Sequence, residues 1–174
     1  MTNGAWAGNT AGAELVLIAD GKSDYVIVVP DGQDVRNRVK RASDLLQSTL
    51  AEAAGVKLPV VKESELKAGM PAIYLGRTQA AAKAGLPLKD LKGWTFLKQV
   101  KGRDLFLVGI DDTAGIKESD YIEYFGSLKA VTSFLEDEAG VRFLLPGPNG
   151  IYIPKRDRLC VKADLNVRQS PIFE

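Results

Sequence analysis

Residues 25–55 read YVIVVPDGQDVRNRVKRASDLLQSTLAEAAG and hold the elements that decide the fold. The run Tyr25–Val29 is strongly β-branched and is ended by Pro30, which is typical of a strand. Apolar residues then recur at helical spacing and predict an amphipathic helix with one face toward a core, at Val35, Val39, Ala42, Leu45, Leu46, Leu50 and Ala53. Gly55 follows, where glycine commonly ends a helix.

Four basic residues of this predicted helix fall largely outside the apolar stripe: Arg36, Arg38, Lys40 and Arg41. A phosphate site is one interpretation of such a cluster. A solvated helix face is the commoner one, and we expect these side chains to point into water.

Working outward, Leu15–Ala19 is a short apolar strand that stops at the turn dipeptide Asp20-Gly21. Its spacing from Tyr25–Val29 predicts a hairpin between the two. Gly102 predicts a second hairpin turn, between strands 95–100 and 105–110. Further strands are expected at 72–75, 141–145, 151–154 and 159–167, and helices at 78–84 (capped by Thr78) and 127–139.

Two long helices, one short helix and roughly seven to nine strands follow from this pattern. Hairpins occur beside helical connections. The sequence therefore predicts an α+β fold in which two long helices pack on a mixed β-sheet.

Composition excludes several classes of function. The 174 residues fit one domain, and 23 basic against 22 acidic residues leave a net charge of +1. Such a balance gives no field that would attract nucleic acid or an anionic membrane. No apolar run approaches the length of a membrane span. No glycine-rich phosphate motif is present, so we expect neither a nucleotide nor another cofactor.

The sequence contains no histidine. Histidine is the usual general base near neutral pH and the commonest metal ligand, so catalytic triads and most zinc sites are excluded. Cys160, the single cysteine, lies in a predicted strand. We expect it to be a small buried hydrophobic residue rather than a reactive thiol.

Candidate contact residues lie at strand ends and turns. They are Arg77, Trp94, Asp111, Asp112, Arg142 and Asn149. Carboxylates after a strand are common in functional sites, although turn residues that bond their own backbone are commoner. Trp94 could stack on a sugar or pack in a core. The acidic run 136–138 opposes the dipole of its helix, which suggests a cationic partner such as Arg142, although a solvated helix face is the commoner interpretation.

Several short segments, taken in order, carry a resemblance to a known family. They are AGVKLPV (54–60), AIYLGRT (72–78), LVGID (107–111), GSL (126–128), FLE (134–136) and AGVRFLLPG (139–147), followed by Ile153-Pro154. This order resembles the N-terminal domain of bacterial α-glucuronidases of glycoside hydrolase family 67. It is also similar to the domain that precedes the barrel in β-N-acetylhexosaminidases. The segment GVRFLLPG with the following Ile153-Pro154 is the most specific part.

The resemblance implies a fold like that of zincin metalloproteases without the metal site. The small and polar first residues predict a flexible lead-in at 1–13, before one domain at 14–167. The resemblance implies a linker at 168–174 toward a (β/α)₈ catalytic barrel. In such families the catalytic carboxylates belong to the barrel, so no catalytic residue is carried over. The expected partner is that barrel in the same parent chain, and the expected parent is exported, to the periplasm or outside the cell.

Two alternatives stay open. The chain could be a carbohydrate-binding module that uses Trp94, Tyr121 and Tyr124 with neighbouring charged residues. It could also be a small hydrolase that works through carboxylates or lysine. That alternative would require acids such as Asp111, Asp112 and Glu136 to converge in a cleft.

Overall fold

The structure is a computed structural model that describes residues 12–111 and 124–170. Within them the chain forms ten strands: β1 (Glu14–Ala19), β2 (Val26–Val29), β3 (Val60–Lys62), β4 (Ala72–Leu75), β5 (Phe96–Lys101), β6 (Asp104–Gly109), β7 (Arg142–Phe143), β8 (Ile151–Tyr152), β9 (Arg158–Lys162) and β10 (Asn166–Gln169). Its α-helices are α1 (Arg38–Ala54), α2 (Gln79–Lys83) and α3 (Gly126–Asp137).

Six strands form the central sheet in the order β10-β5-β6-β4-β2-β3. Strands β6, β4, β2 and β3 are parallel, whereas β5 and β10 pair antiparallel at the other edge. Strand β4 is buried at every position, as expected for a parallel strand that is covered on both faces. The predicted α+β class with a mixed sheet is confirmed.

Helices cover both faces of this sheet. The long helices α1 and α3 pack together on one face, against Ile27, Ile73 and Leu107. The short helix α2 covers the other face, where Ala81 packs with Val28 and the stacked rings of Tyr74 and Phe106. Thr78 caps α2 as predicted, since its side chain accepts a hydrogen bond from the Ala81 N–H at 3.1 Å.

The predicted hairpin between β1 and β2 is wrong. The turn at Asp20-Gly21 does form, but β1 then pairs antiparallel with β9, and β2 enters the central sheet. Burial explains the difference. Strand β1 has exposed positions, which a two-stranded sheet in contact with water can accommodate. The apolar strand β2 is buried at three of its four positions, which a parallel sheet provides.

The hairpin between β5 and β6 is confirmed, with Lys101 opposite Asp104. Two other strand predictions need correction. The stretch 141–145 is a strand only at Arg142–Phe143, and Leu144 and Leu145 are 69% and 70% exposed. The stretch 159–167 holds parts of two strands, because the chain turns at Ala163-Asp164 between β9 and β10.

Helix α1 begins later than the apolar pattern predicts. A 3-10 turn occupies Val35–Asn37, and regular helix starts at Arg38. Arg36 and Asn37 both have positive φ, at 57° and 55°. The carboxylate of Asp34 accepts the N–H groups of Val39 and Lys40 at 3.0 and 2.8 Å, so it caps the helix from outside this turn. Gly55 ends the helix in the left-handed conformation, as predicted.

The end of β6 and the start of α3 approach closely through two glycines. A Cβ added to Gly109 would collide with the backbone of Gly126, and a Cβ on Gly126 would collide with the backbone of Gly109 and Ile110. The Gly126 N–H also donates to the Ile110 carbonyl at 2.8 Å. Because neither Gly109 nor Gly126 has a side chain, the end of β6 and the start of α3 approach closely. Asp111 therefore lies against the first turn of α3.

Within the described ranges, no helix is long and apolar enough to cross a membrane. The same ranges contain no group of three or more His, Cys, Asp or Glu side chains placed to hold a metal ion. Cys160 is half-buried rather than buried. Burial and the neighbouring Glu14 raise the pKa of its thiol, which lowers its reactivity.

Candidate functional site

An open cleft of about 800 Å³ lies at the carboxyl ends of the parallel strands. The loop after β2, one face of α1, and β3 form its walls, together with Arg77 after β4 and Asp111 after β6. From β2 the chain continues through α1 to the edge strand β3. From β4 it continues in the opposite direction, toward β6. Ligands of open α/β sheets bind in the crevice at such a reversal of strand order.

Asp111 joins three elements at this edge. Its Oδ1 accepts the Ser127 N–H at 2.9 Å, and its Oδ2 accepts the Ser127 hydroxyl at 2.5 Å. Its backbone carbonyl accepts a hydrogen bond from Arg38 Nη1 at 2.7 Å. Burial raises the pKa of the Asp111 carboxyl to about 6, against the lowering effect of the hydrogen bonds from Ser127. A carboxyl group with such a pKa can hold or release a proton near neutral pH.

Arg38 is fully buried, which corrects the prediction that it points into water. Its relative exposure is 0%, and its guanidinium lies 5.4 Å from the ring centroid of Phe125. Among the residues described, Nε and Nη2 of Arg38 have no hydrogen-bond partner. The exposed side chains of Arg36, Lys40 and Arg41 agree with the prediction.

Arg77 is exposed, and its Nη2 donates to the Leu88 carbonyl at 2.7 Å. Gly76, with φ of 73°, turns the chain just before it. Arg77 and Asp111 both line the cleft, so the structure brings together two of the six residues singled out in the sequence.

Trp94 lies elsewhere, at the start of β5. It is half-buried and forms an edge-to-face pair with Tyr124, with ring centroids 5.3 Å apart. A shallow cavity of about 390 Å³ adjoins it, lined also by Phe96, Lys129, Gln169 and Ser170. This is a second and separate candidate surface.

Arg142 and Asn149 do not line either surface. Arg142 is exposed, and its Nη1 donates to the backbone carbonyls of Glu136 and Val141 at 3.0 and 2.8 Å. Arg142 therefore contacts the end of α3, as the acidic run suggested. It does so through backbone carbonyls rather than through the acidic side chains. Asn149 is exposed in a 3-10 turn. Asp112 and Tyr121 lie outside the described residues.

The hydrolase interpretation requires Asp111 and Glu136 to face one another. Asp111 binds Ser127, and Glu136 lies nine residues further along the helix (136 − 127). At 1.5 Å per residue, the backbone positions of Ser127 and Glu136 are about 14 Å apart along the axis of α3. Carboxyl pairs in glycosidases are separated by about 5–9.5 Å.

Lys98 was not among the candidate residues predicted from the sequence, because it occupies an ordinary position of a predicted strand. It is 1% exposed, and its Nζ lies 2.6 Å from Oδ2 of Asp137. The hydrogen bond from Lys98 lowers the pKa of the Asp137 carboxyl. The acidic end of α3 thus has Lys98 as its charged partner. The available signal was a lysine that shares its strand face with Phe96 and Val100, together with an acidic run downstream.

No protein-family model and no curated protein matches the chain. Among solved structures, the chain is similar to the family GH115 4-O-methyl-α-glucuronidase BtGH115A, described as specific for decorated arabinogalactans. The TM-score is 0.54 at 15% sequence identity, and the likeness covers 90% of this chain but 18% of that one. The fold thus occurs as a small part of a glycoside hydrolase, here of GH115, whereas the sequence resemblance named family 67.

Proposed function

We propose that this chain is a non-catalytic accessory domain of a larger glycoside hydrolase that packs on and supports a (β/α)₈ catalytic domain. The observation that carries the proposal is the asymmetry of the structural likeness. Nearly the whole chain matches, yet the match is less than a fifth of the glucuronidase. A match to so small a fraction of the glucuronidase corresponds to one added domain and not to a complete enzyme.

An exposed apolar surface supports packing on a neighbour. Leu144, Leu145 and Tyr152 are 69%, 70% and 58% exposed. The N–H groups of Leu144 and Leu145 both donate to the Gly150 carbonyl, at 2.8 and 3.2 Å, so the backbone of both leucines is tied to the turn at Gly150. Leu144 and Leu145 line one shallow depression together, and exposed apolar groups that lie together are typical of interaction surfaces.

The resemblance to family 67 and the GH115 neighbour both favour an α-glucuronidase as the parent enzyme. We infer from the same resemblance that the parent is exported. Neither inference assigns a substrate to this chain, since the reacting groups would belong to the catalytic domain.

The direct test is an assay of the purified chain against a panel of aryl glycosides that includes an α-glucuronide. We expect no release of the aryl alcohol above buffer. Release that is lost in Asp111→Asn would contradict the proposal and support the hydrolase interpretation.

A second test addresses the packing surface in the longer natural protein. Leu144→Asp with Leu145→Asp should separate one cooperative thermal transition into two, because acidic side chains disfavour an apolar interface. Val60→Asp is the matched control, since Val60 is an exposed apolar residue of β3. A single unchanged transition in the double variant would contradict packing through this surface.

A carbohydrate-binding module is the second candidate, favoured by the half-buried Trp94 and its adjoining cavity. A sugar that stacks on Trp94 should change its fluorescence and bind more weakly to Trp94→Ala. Calorimetry that stays flat across a glycan panel at millimolar sugar would reject this candidate.

A further inference from the structure

The acidic and basic side chains that line the cleft differ in whether they have partners within the fold. The acids that line it are Asp34, Asp44 and Asp111, and each has partners within the fold. Asp34 accepts two backbone N–H groups of α1, and Asp44 pairs with Lys40 at 2.6 Å. Asp111 is occupied by Ser127.

Two of the cations that line the cleft, unlike these acids, have no hydrogen-bond or ion-pair partner among the described residues. Lys57 follows the end of α1, and Lys62 ends β3, and both side chains are exposed. Within the described residues neither Nζ takes part in a hydrogen bond or an ion pair. Lys62 acts at longer range on Asp31, whose carboxyl pKa its charge helps to lower. Neither lysine is neutralised by an ion pair at contact distance within the described residues, and such positive charge attracts an anion.

The helix wall of the cleft supplies a hydrogen-bond acceptor. Ser43 and Gln47 lie four residues apart, on the same face of α1. The Ser43 hydroxyl donates to the Lys40 carbonyl at 2.9 Å, and Gln47 Nε2 donates to the Leu58 carbonyl at 2.6 Å. The Ser43 hydroxyl and one of the two Gln47 N–H donors are thus used inside the protein. Ser43 is 3% exposed, so Gln47 Oε1 is the acceptor that can bind a hydroxyl group of a ligand.

We propose that this cleft binds a small hydroxylated anion, a carboxylate or phosphate carried on a skeleton of the size of a sugar. Lys57 and Lys62 meet the charged group, and Gln47 accepts hydrogen bonds from the hydroxyls. The volume of about 800 Å³ lies within the range of small-molecule sites. The proposal is independent of the accessory-domain proposal, since it concerns the cleft alone.

The test is a titration of the ¹⁵N-labelled chain, followed by backbone amide shifts. The probes are gluconate, glucose 6-phosphate, neutral glucose, inorganic phosphate and a short poly-glutamate peptide. Gluconate or glucose 6-phosphate should give saturable shifts in the loop after β2 and along α1 at Lys40–Gln47. Whichever binds more tightly identifies the charged group as carboxylate or phosphate.

The variant Lys57→Ala with Lys62→Ala should weaken that binding about tenfold, the effect of two exposed charge contacts. Lys89→Ala with Lys92→Ala removes the same charge from exposed positions outside the cleft lining and should change nothing. Folding of each variant is checked by its unperturbed amide spectrum.

Four results would overturn the proposal. They are no saturable shift with either hydroxylated anion, equal affinity for glucose or inorganic phosphate, equal affinity for the glutamate peptide, and equal weakening by the two lysine pairs.

Discussion

Asp111 and Ser127 form a two-point contact that fixes the first turn of α3 to the end of β6. One carboxylate oxygen accepts the Ser127 N–H at 2.9 Å and the other accepts its hydroxyl at 2.5 Å. The contact satisfies a backbone donor at the start of the helix, where no intrahelical partner exists. It depends on the glycine pair Gly109 and Gly126, which lets the two segments approach.

Ser127→Ala should destabilise the chain by about 1–3 kcal/mol, because a buried carboxylate oxygen loses its donor. Ser127 is fully buried. Urea unfolding measures the change. Ser48→Ala, an exposed position on α1, is the control and should stay within about 0.5 kcal/mol of the parent. Equal stability of the two variants would show that the Asp111–Ser127 contact contributes nothing.

Stability should fall as pH rises from about 4 to about 7 through the titration of Asp111. Its carboxyl has a pKa of about 6 in the folded chain, above the ordinary 3.8. The folded state therefore holds the proton more tightly, and this contribution is fully present below the unfolded pKa and lost as pH rises through 6. The loss is of order 2–3 kcal/mol.

The pH profile of urea unfolding for Asp111→Asn measures this contribution, because asparagine cannot titrate. The difference between parent and variant should change across pH 4–7 and be flat above it. Asp137 acts in the opposite sense: its lowered pKa means that its contribution is lost as pH falls below about 4. A parent-minus-variant difference that is constant with pH would contradict the assignment to Asp111.

Asp137→Ala should cost about 1–2 kcal/mol, because it leaves the ammonium group of Lys98 unpaired in a buried strand position. The cost is lower than for a fully buried pair, since the Asp137 side chain is 59% exposed. Lys98→Met in the Asp137→Ala background should recover most of the loss, as an apolar chain of similar length needs no partner. A double-mutant cycle that shows no coupling would reject the pair as a stabilising contact.

Gly109→Ala should destabilise the chain by about 3 kcal/mol or more, because the added methyl group meets the backbone of Gly126 rather than a movable side chain. Gly12→Ala is the matched control, since a Cβ there has no heavy atom within 4 Å. Thermal unfolding compares the two. A Gly109→Ala variant as stable as the control would mean that β6 and α3 are not in close contact.

Local features of the fold could be predicted from the sequence. The α1 pattern, the Thr78 cap and the Gly102 hairpin each depend on residues within one turn or one helix, so periodicity and turn chemistry suffice. Strand pairing could not be predicted. Strand β1 pairs with β9, in which Glu14 lies opposite Lys162, and partners so distant in sequence leave no local signal.

The candidate site was predictable only in part, for the same reason. Arg77 and Asp111 were found because each follows a strand. That they share a cleft depends on the order of β6, β4 and β2 in the sheet. The burial of Arg38 depends on Asp111, which lies 73 residues further along the chain, and on Phe125. The residues next to Arg38 in the sequence suggested only that Arg38 lies on an exposed helix face.

We propose that this chain works as one domain of a larger glycosidase, and the natural gene product distinguishes this from a stand-alone protein. The measurement is the intact mass and sequence of the polypeptide purified from its source through an antibody to this chain. The account predicts a polypeptide several times longer that contains a barrel domain and cleaves a glycoside. A mature protein consisting of this domain alone, in a source with no glycosidase associated with it, would contradict the account.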